Sequence, residues 1–162
     1  MFVQIEQTPN PATLKFIPGV TVMSHGTQFY QDESSTGNSI LAEQLFRIKG
    51  VESVFYGADF ITISKNPSAE WHLLKPAIMG AIITQFVSDR PLIQEPQFKK
   101  TYVDNKHEVK DSDSDTVKKI KEILDVKIRP AVAMDGGDII FESYQDGWIV
   151  LEMQGACQGC PS

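Results

Sequence analysis

The chain carries two cysteines, Cys157 and Cys160, set in the run GACQGCPS with which the sequence ends. A C-x-x-C pair presents two thiolates from one turn to a single centre, and soft thiolates suit zinc, an iron–sulfur cluster or copper(I). The neighbours Gly155, Ala156 and Gly159 are small, so the backbone can come close to a bulky inorganic core and offer N–H groups to its sulfurs. A structural disulfide is a poor use of this pair, because closing so short a loop removes little chain entropy. A reducing compartment and a working thiol pair fit better.

Counting ligands sharpens the cluster case. Both [2Fe–2S] and [4Fe–4S] clusters normally take four cysteine ligands, and one chain supplies two. The histidines His25, His72 and His107 are remote from the pair in sequence. The economical arrangement is two chains, each contributing one C-x-x-C to a cluster at a dimer interface. Such a site is exposed and half-owned by each chain, which suits cargo that is handed on. Two other chemistries stay open on these residues alone: a four-thiolate zinc site bridging two chains, and a thiol–disulfide oxidoreductase. Against the redox case, the preceding unit reads as a helix and two hairpin-linked strands, without a βαβ pattern.

The elements that must position the pair are read from periodicity. Leu14 and Phe16 share one face of TLKF, as Val3 and Ile5 do of FVQIEQT, with turn chemistry at Pro9-Asn10-Pro11 between them. Ile40, Leu41, Leu45, Phe46 and Ile48 follow a helical period behind the cap candidates Gly37, Asn38 and Ser39, and Gly50 is the stop signal. Residues 51–56 and 60–64 read as strands around Gly57-Ala58-Asp59. A second helix takes in Trp71, Leu74, Ile78, Ile82 and Phe86; Pro76 places its start near Lys75, after an irregular turn. Trp71 and Trp148 are expected in the core.

From about Arg90 to Asp115 the apolar period is lost, predicting a flexible linker. Beyond it, Val117, Ile120, Ile123, Leu124 and Ile128 make an amphipathic helix capped by Asp115 or Thr116. Asp135-Gly136-Gly137-Asp138 is a turn, with both aspartates serving as turn residues. Residues 139–144 and 148–153 flank a hairpin turn at Gln145-Asp146-Gly147. The expected fold is α+β in two small mixed domains, 1–89 and 115–162, joined by a linker over 90–114. The first is a sheet with two helices, the second a helix plus a β-hairpin.

The whole chain, 162 residues with a formal net charge of -6, is 41% hydrophobic and 22% charged. These values fit a soluble folded protein and argue against a nucleic-acid binder, which needs a basic face. The longest apolar stretch, near 77–83, is too short to span a bilayer. The N-terminus lacks a signal-peptide pattern, so the expected location is the bacterial cytoplasm, or the mitochondrial matrix once a presequence has been removed. There is no P-loop, dinucleotide fingerprint or Ser–His–Asp arrangement, and no enzyme activity is expected.

Two stretches carry a resemblance. IRPAVAMDGGDI followed by GWIVLEMQGACQGCPS is similar to the C-terminal domain of the NifU-like (Nfu) family, whose hallmark is a helix, a DGGD turn, a hairpin and G-x-C-x-x-C-P. QTPNPATLKFIPG with GVESVFYGADFITISK resembles the Nfu N-terminal domain. The resemblance implies a scaffold or carrier that binds a labile [4Fe–4S] cluster, with [2Fe–2S] as the other type, between two subunits through Cys157 and Cys160. It implies delivery to apo iron–sulfur proteins, loading by upstream cluster-assembly proteins, and a homodimer when loaded. The cysteine-free N-terminal domain is left with partner recognition. These 162 residues show no counterpart of the assembly and ferredoxin-like domains of the longer nitrogen-fixation relatives, so delivery, in preference to sulfur acquisition, is the expected task. Family members continue past C-P-S into a further helix against the hairpin; the chain stops at Ser162, so a truncated C-terminal unit is expected.

Overall fold

A computed structural model describes residues 2–94 and 109–158. The central part of the expected linker and the last four residues, Cys160 among them, lie outside the described residues.

The N-terminal half is built on alternation. Strands β1 (Gln4–Gln7), β2 (Thr13–Ile17), β3 (Gln28–Tyr30), β4 (Val51–Tyr56) and β5 (Ile61–Lys65) form one antiparallel sheet in the order β1-β2-β5-β4-β3. Side chains of successive strand residues point to opposite faces. Leu14, Phe16, Tyr30, Val54, Tyr56, Ile61 and Ile63 therefore share one face, and all are buried. Two helices cover that face, α1 (Ile40–Phe46) and α2 (Trp71–Val87). Leu41, Leu45, Leu74, Ile78 and Ile82 close the same core from the helix side. Each such side chain contributes roughly 2 kcal/mol on burial, so this layer fixes the fold of the half.

Local signals set the ends of α1. Ser39 is its N-cap, its hydroxyl accepting from the Ala42 N–H at 3.3 Å, which satisfies one donor that the helix cannot. The start of α2 departs from expectation. It begins at Trp71, not near Lys75, and runs through Pro76. The first turn is held from outside: the Trp71 indole N–H donates to the Pro11 carbonyl at 3.1 Å, and Leu74 is sunk in the core. Those anchors offset the hydrogen bond that proline removes.

The C-terminal part runs α3 (Asp115–Ile123), one π-helical turn (Leu124–Ile128), α4 (Arg129–Met134), then strands β6 (Gly137–Gln145) and β7 (Trp148–Gly155) paired antiparallel. The cap of α3 is Ser114, accepting from Val117 at 3.3 Å, in place of Asp115 or Thr116. The hairpin turn is a two-residue loop, Asp146 at φ 52° and Gly147 at φ 82°, the doubly positive geometry that matches strand twist. The core here is thin. Leu124, Phe141 and Ala156 are buried, but Met134 and Trp148 are each 78% exposed and Met153 is 52% exposed. The expectation of Trp148 in the core is thus overturned: β7 is open to solvent along most of its length.

The open end of this hairpin lies on the helix-free face of the N-terminal sheet. The buried Thr62 hydroxyl donates to the Gly136 carbonyl at 2.7 Å, and the Asn10 side-chain amide donates to the Gln158 carbonyl at 3.1 Å. The mixed α+β architecture expected from the sequence is the one observed.

Candidate metal centre

The site is assembled where β6 begins and β7 ends. After α4 the chain turns at Asp135 and Gly136, the latter at φ +84°, a conformation that costs a residue with a Cβ. Gly137 opens β6 directly opposite Gly155, the last residue of β7. The chain then leaves the ladder in a turn closed by the Gln158 N–H donating to the Gly155 carbonyl at 3.1 Å. Cys157 is central in that turn and half-buried. Cys160 lies outside the described residues, so the structure places one of the two expected ligands.

The glycines are what allow the Cys157 loop to lie where it does. A Cβ on Gly137 would stand 2.6 Å from Cys157 Sγ and 2.7 Å from the Gln154 carbonyl oxygen. A Cβ on Gly155, itself at φ +63°, would stand 2.7 Å from the Gly136 carbonyl oxygen. The sequence marks the glycines as turn residues, but their packing against the cysteine appears only in three dimensions. Substituting Gly137→Val is therefore expected to push the Cys157 loop off the hairpin. Thiol alkylation of the metal-free protein checks it: the Cys157 rate should rise several-fold, and a rate equal to that of the parent would show that the packing does not restrain the thiol.

A second constraint on the turn is a buried ion pair. Asp138 is 4% exposed. Its Oδ1 accepts from Arg129 Nε at 2.9 Å and from the Ile139 N–H at 2.8 Å; its Oδ2 accepts from Arg129 Nη2 at 2.8 Å and from Thr27 Oγ1 at 3.2 Å. Arg129 also donates to Asp125 one helical turn back, at 3.0 Å. The hydrogen bond to Asp138 is the main reason that the guanidinium holds its proton more tightly than usual. This fork-on-carboxylate pairing is geometrically specific and ties α4 to the start of β6. Asp138 therefore does more than make a turn, which its neighbouring glycines had been enough to explain.

Chemically, the loop fits a soft metal or cluster in its donor and its lack of bulk: a thiol in a partly exposed turn, ringed by Gly136, Gly137, Gly155 and Ala156. One expected feature differs. The Ala156 N–H donates to the Gly136 carbonyl at 3.2 Å, and the Gln158 N–H is used inside the turn; neither is directed outward to a bound sulfur. Among the described residues no three His, Cys, Asp or Glu side chains gather into a metal-binding group, and no helix is long and apolar enough to cross a membrane.

Comparison with known proteins agrees with both halves. The family described as "Scaffold protein Nfu/NifU N terminal" matches residues 3–89, and the "NifU-like domain" matches residues 120–162. The chain is similar to a Drosophila persimilis protein named "NFU1 iron-sulfur cluster scaffold homolog, mitochondrial", 47% identical over 100% of this chain and 56% of the relative. It is similar to the Drosophila willistoni protein of the same name, 47% identical over 100% of this chain and 55% of that one. The chain thus spans about half the length of the curated relatives it matches. Among solved structures it resembles that of a NifU-like protein from Saccharomyces cerevisiae, with TM-score 0.54 and 27% identity, covering 59% of this chain and 87% of that one.

Proposed function

The chain belongs to the Nfu/NifU scaffold-protein family, and from that premise we propose that it carries a labile [4Fe–4S] cluster bridged between two copies and hands it to apo iron–sulfur proteins. Each copy supplies Cys157 and Cys160, the chain's only cysteines. The observation that carries this reading is the position of Cys157, in a glycine-walled, partly exposed turn at the open end of the hairpin. A cluster held by two such loops has two ligands from each chain. The cluster is cargo, so a scaffold role implies no catalysis by the chain. In the same reading, residues 1–89 recognise partners, residues 115–162 carry the cargo, and 90–114 link them. The relatives named above are called mitochondrial, which favours the matrix over the bacterial cytoplasm.

The test is stoichiometry. Anaerobic reconstitution of the protein with iron and sulfide is expected to give about four irons and four sulfides per two chains. Because cargo that binds only the dimer must favour the dimer, the mass should shift from monomer to dimer on loading and return on chelation. Loaded protein that stays monomeric would sink the bridged reading. Metal bound without sulfide would favour a four-thiolate zinc site, and metal-free catalytic disulfide reduction would favour an oxidoreductase.

A further inference from the structure

The N-terminal sheet has one face under helices and one without, and the second carries the cross-strand row Glu6–Lys15–Thr62–Phe55–Phe29. A helix-free face of a small sheet is ordinarily solvated. Here Phe55 and Thr62 are each 1% exposed: Phe60 packs beside the Phe55 ring at 6.0 Å between centroids, and the chain's own glycine turn lies over Phe55 and Thr62. A Cβ on Gly155 would lie 3.1 Å from the Phe55 ring, and one on Gly136 would lie 3.0 Å from Thr62 Oγ1. Around that contact run four hydrogen bonds: Thr62 Oγ1 to the Gly136 carbonyl at 2.7 Å, Asn10 Nδ2 to the Gln158 carbonyl at 3.1 Å, Thr27 Oγ1 to Asp138 Oδ2 at 3.2 Å, and Lys15 Nζ to the Met134 carbonyl at 3.4 Å.

We propose that this sheet face is a docking surface for the chain's own glycine turn and Cys157 loop, and that the docked form is a closed, cargo-free state that opens when the loop takes up its cluster. The opening half rests on the bridged-cluster reading above; the docking half does not. Recognition is aimed at backbone: three of the four acceptors are main-chain carbonyls of the turn and loop, which become accessible because glycine lets the chains approach. The contact is also of a reversible kind. It centres on Phe55 and hydrogen bonds worth about 1 kcal/mol each, while the apolar residues Trp148 and Met153 of β7 stay exposed outside it. Asn10 grips Gln158, which lies between the two cysteines. A loop held there has the sheet on one flank, whereas a bridging cluster needs both thiolates to converge with those of a second copy.

Hydrogen exchange on the whole 162-residue chain separates the two halves. In the cargo-free parent, peptides covering 134–141 and 153–158 should exchange slowly. Thr62→Glu sets a carboxylate against the Gly136 carbonyl and should speed them about tenfold or more, with α2 unchanged because the substituted face opens to water. Thr62→Val removes only the donor; it should speed them a few-fold, and carries the test if Thr62→Glu disturbs α2. Unchanged exchange in a variant whose α2 is intact would overturn docking. Reconstituted parent should show the same acceleration as Thr62→Glu, and retained protection at 134–141 would overturn opening. Failure of the parent to load iron and sulfide, alongside accelerated exchange in the cargo-free variants, would overturn the cargo reading and leave docking standing.

Discussion

Replacing either Cys157 or Cys160 by serine is expected to abolish stable cluster binding and to leave the N-terminal sheet and its helices folded. In a symmetric dimer each single substitution removes two of four thiolates, and a hydroxyl is a far harder and weaker ligand for iron than a thiolate. A bridged site cannot make up the loss, because the chain has no third cysteine. The effect on the N-terminal half is small for a separate reason: its core is built from residues of β1–β5, α1, α2 and their loops, without Cys157. After anaerobic reconstitution and removal of unbound metal, iron and sulfide should fall to background in each variant, with unchanged thermal unfolding of the N-terminal half. A variant that loads like the parent would show that its thiol is not a ligand.

Asp138→Ala should be the most damaging single change to the hairpin's anchorage. It leaves the Arg129 guanidinium, 29% exposed as a side chain, without its main partner, and strands the Ile139 N–H and the Thr27 hydroxyl. Breaking a buried ion pair costs about 3–5 kcal/mol. Arg129 keeps Asp125 and some solvent, which puts the expected loss near the lower end, about 3 kcal/mol. For a unit of this size with so thin a core, that is comparable to its whole stability. Amide exchange across β6 and β7 should therefore approach unprotected rates, while α2 stays protected. Replacing both partners by apolar residues, as in Arg129→Met with Asp138→Leu, should recover much of the loss, since no buried charge is then left unpaired. If the double variant is no better than Asp138→Ala, the pair acts through geometry and not through charge compensation.

What the sequence determined by itself is local. Period-two alternation located β2, β4 and β5 within a residue of their observed bounds, because one face of each is pressed against helices and must be apolar. The period of Ile40, Leu41 and Leu45 located α1 and left Gly37, Asn38 and Ser39 as its cap candidates, of which the fold uses Ser39. Asp146-Gly147 announced a tight hairpin turn through conformational preference alone. The spacing of Cys157 and Cys160 narrowed the chemistry to a cluster, a shared zinc site or a thiol redox pair, since two soft donors in one turn admit few centres.

The tertiary structure decided whatever depends on partners distant in the chain. Trp71 begins α2 because its indole reaches Pro11, sixty residues earlier, an anchor that no local reading of Pro76 contains. Trp148 is exposed because none of the described residues packs over that end of β7, although its side chain is largely apolar. Asp138 became an ion-pair residue only when the turn swung it back to Arg129, across a helix end and a strand start. Thr62 and Asn10 looked like an ordinary strand residue and a turn residue. They meet the cysteine turn because folding stacks the sheet against it, through hydrogen bonds between groups 74 and 148 positions apart. Periodicity reports which face of an element is buried; only packing reports what buries it.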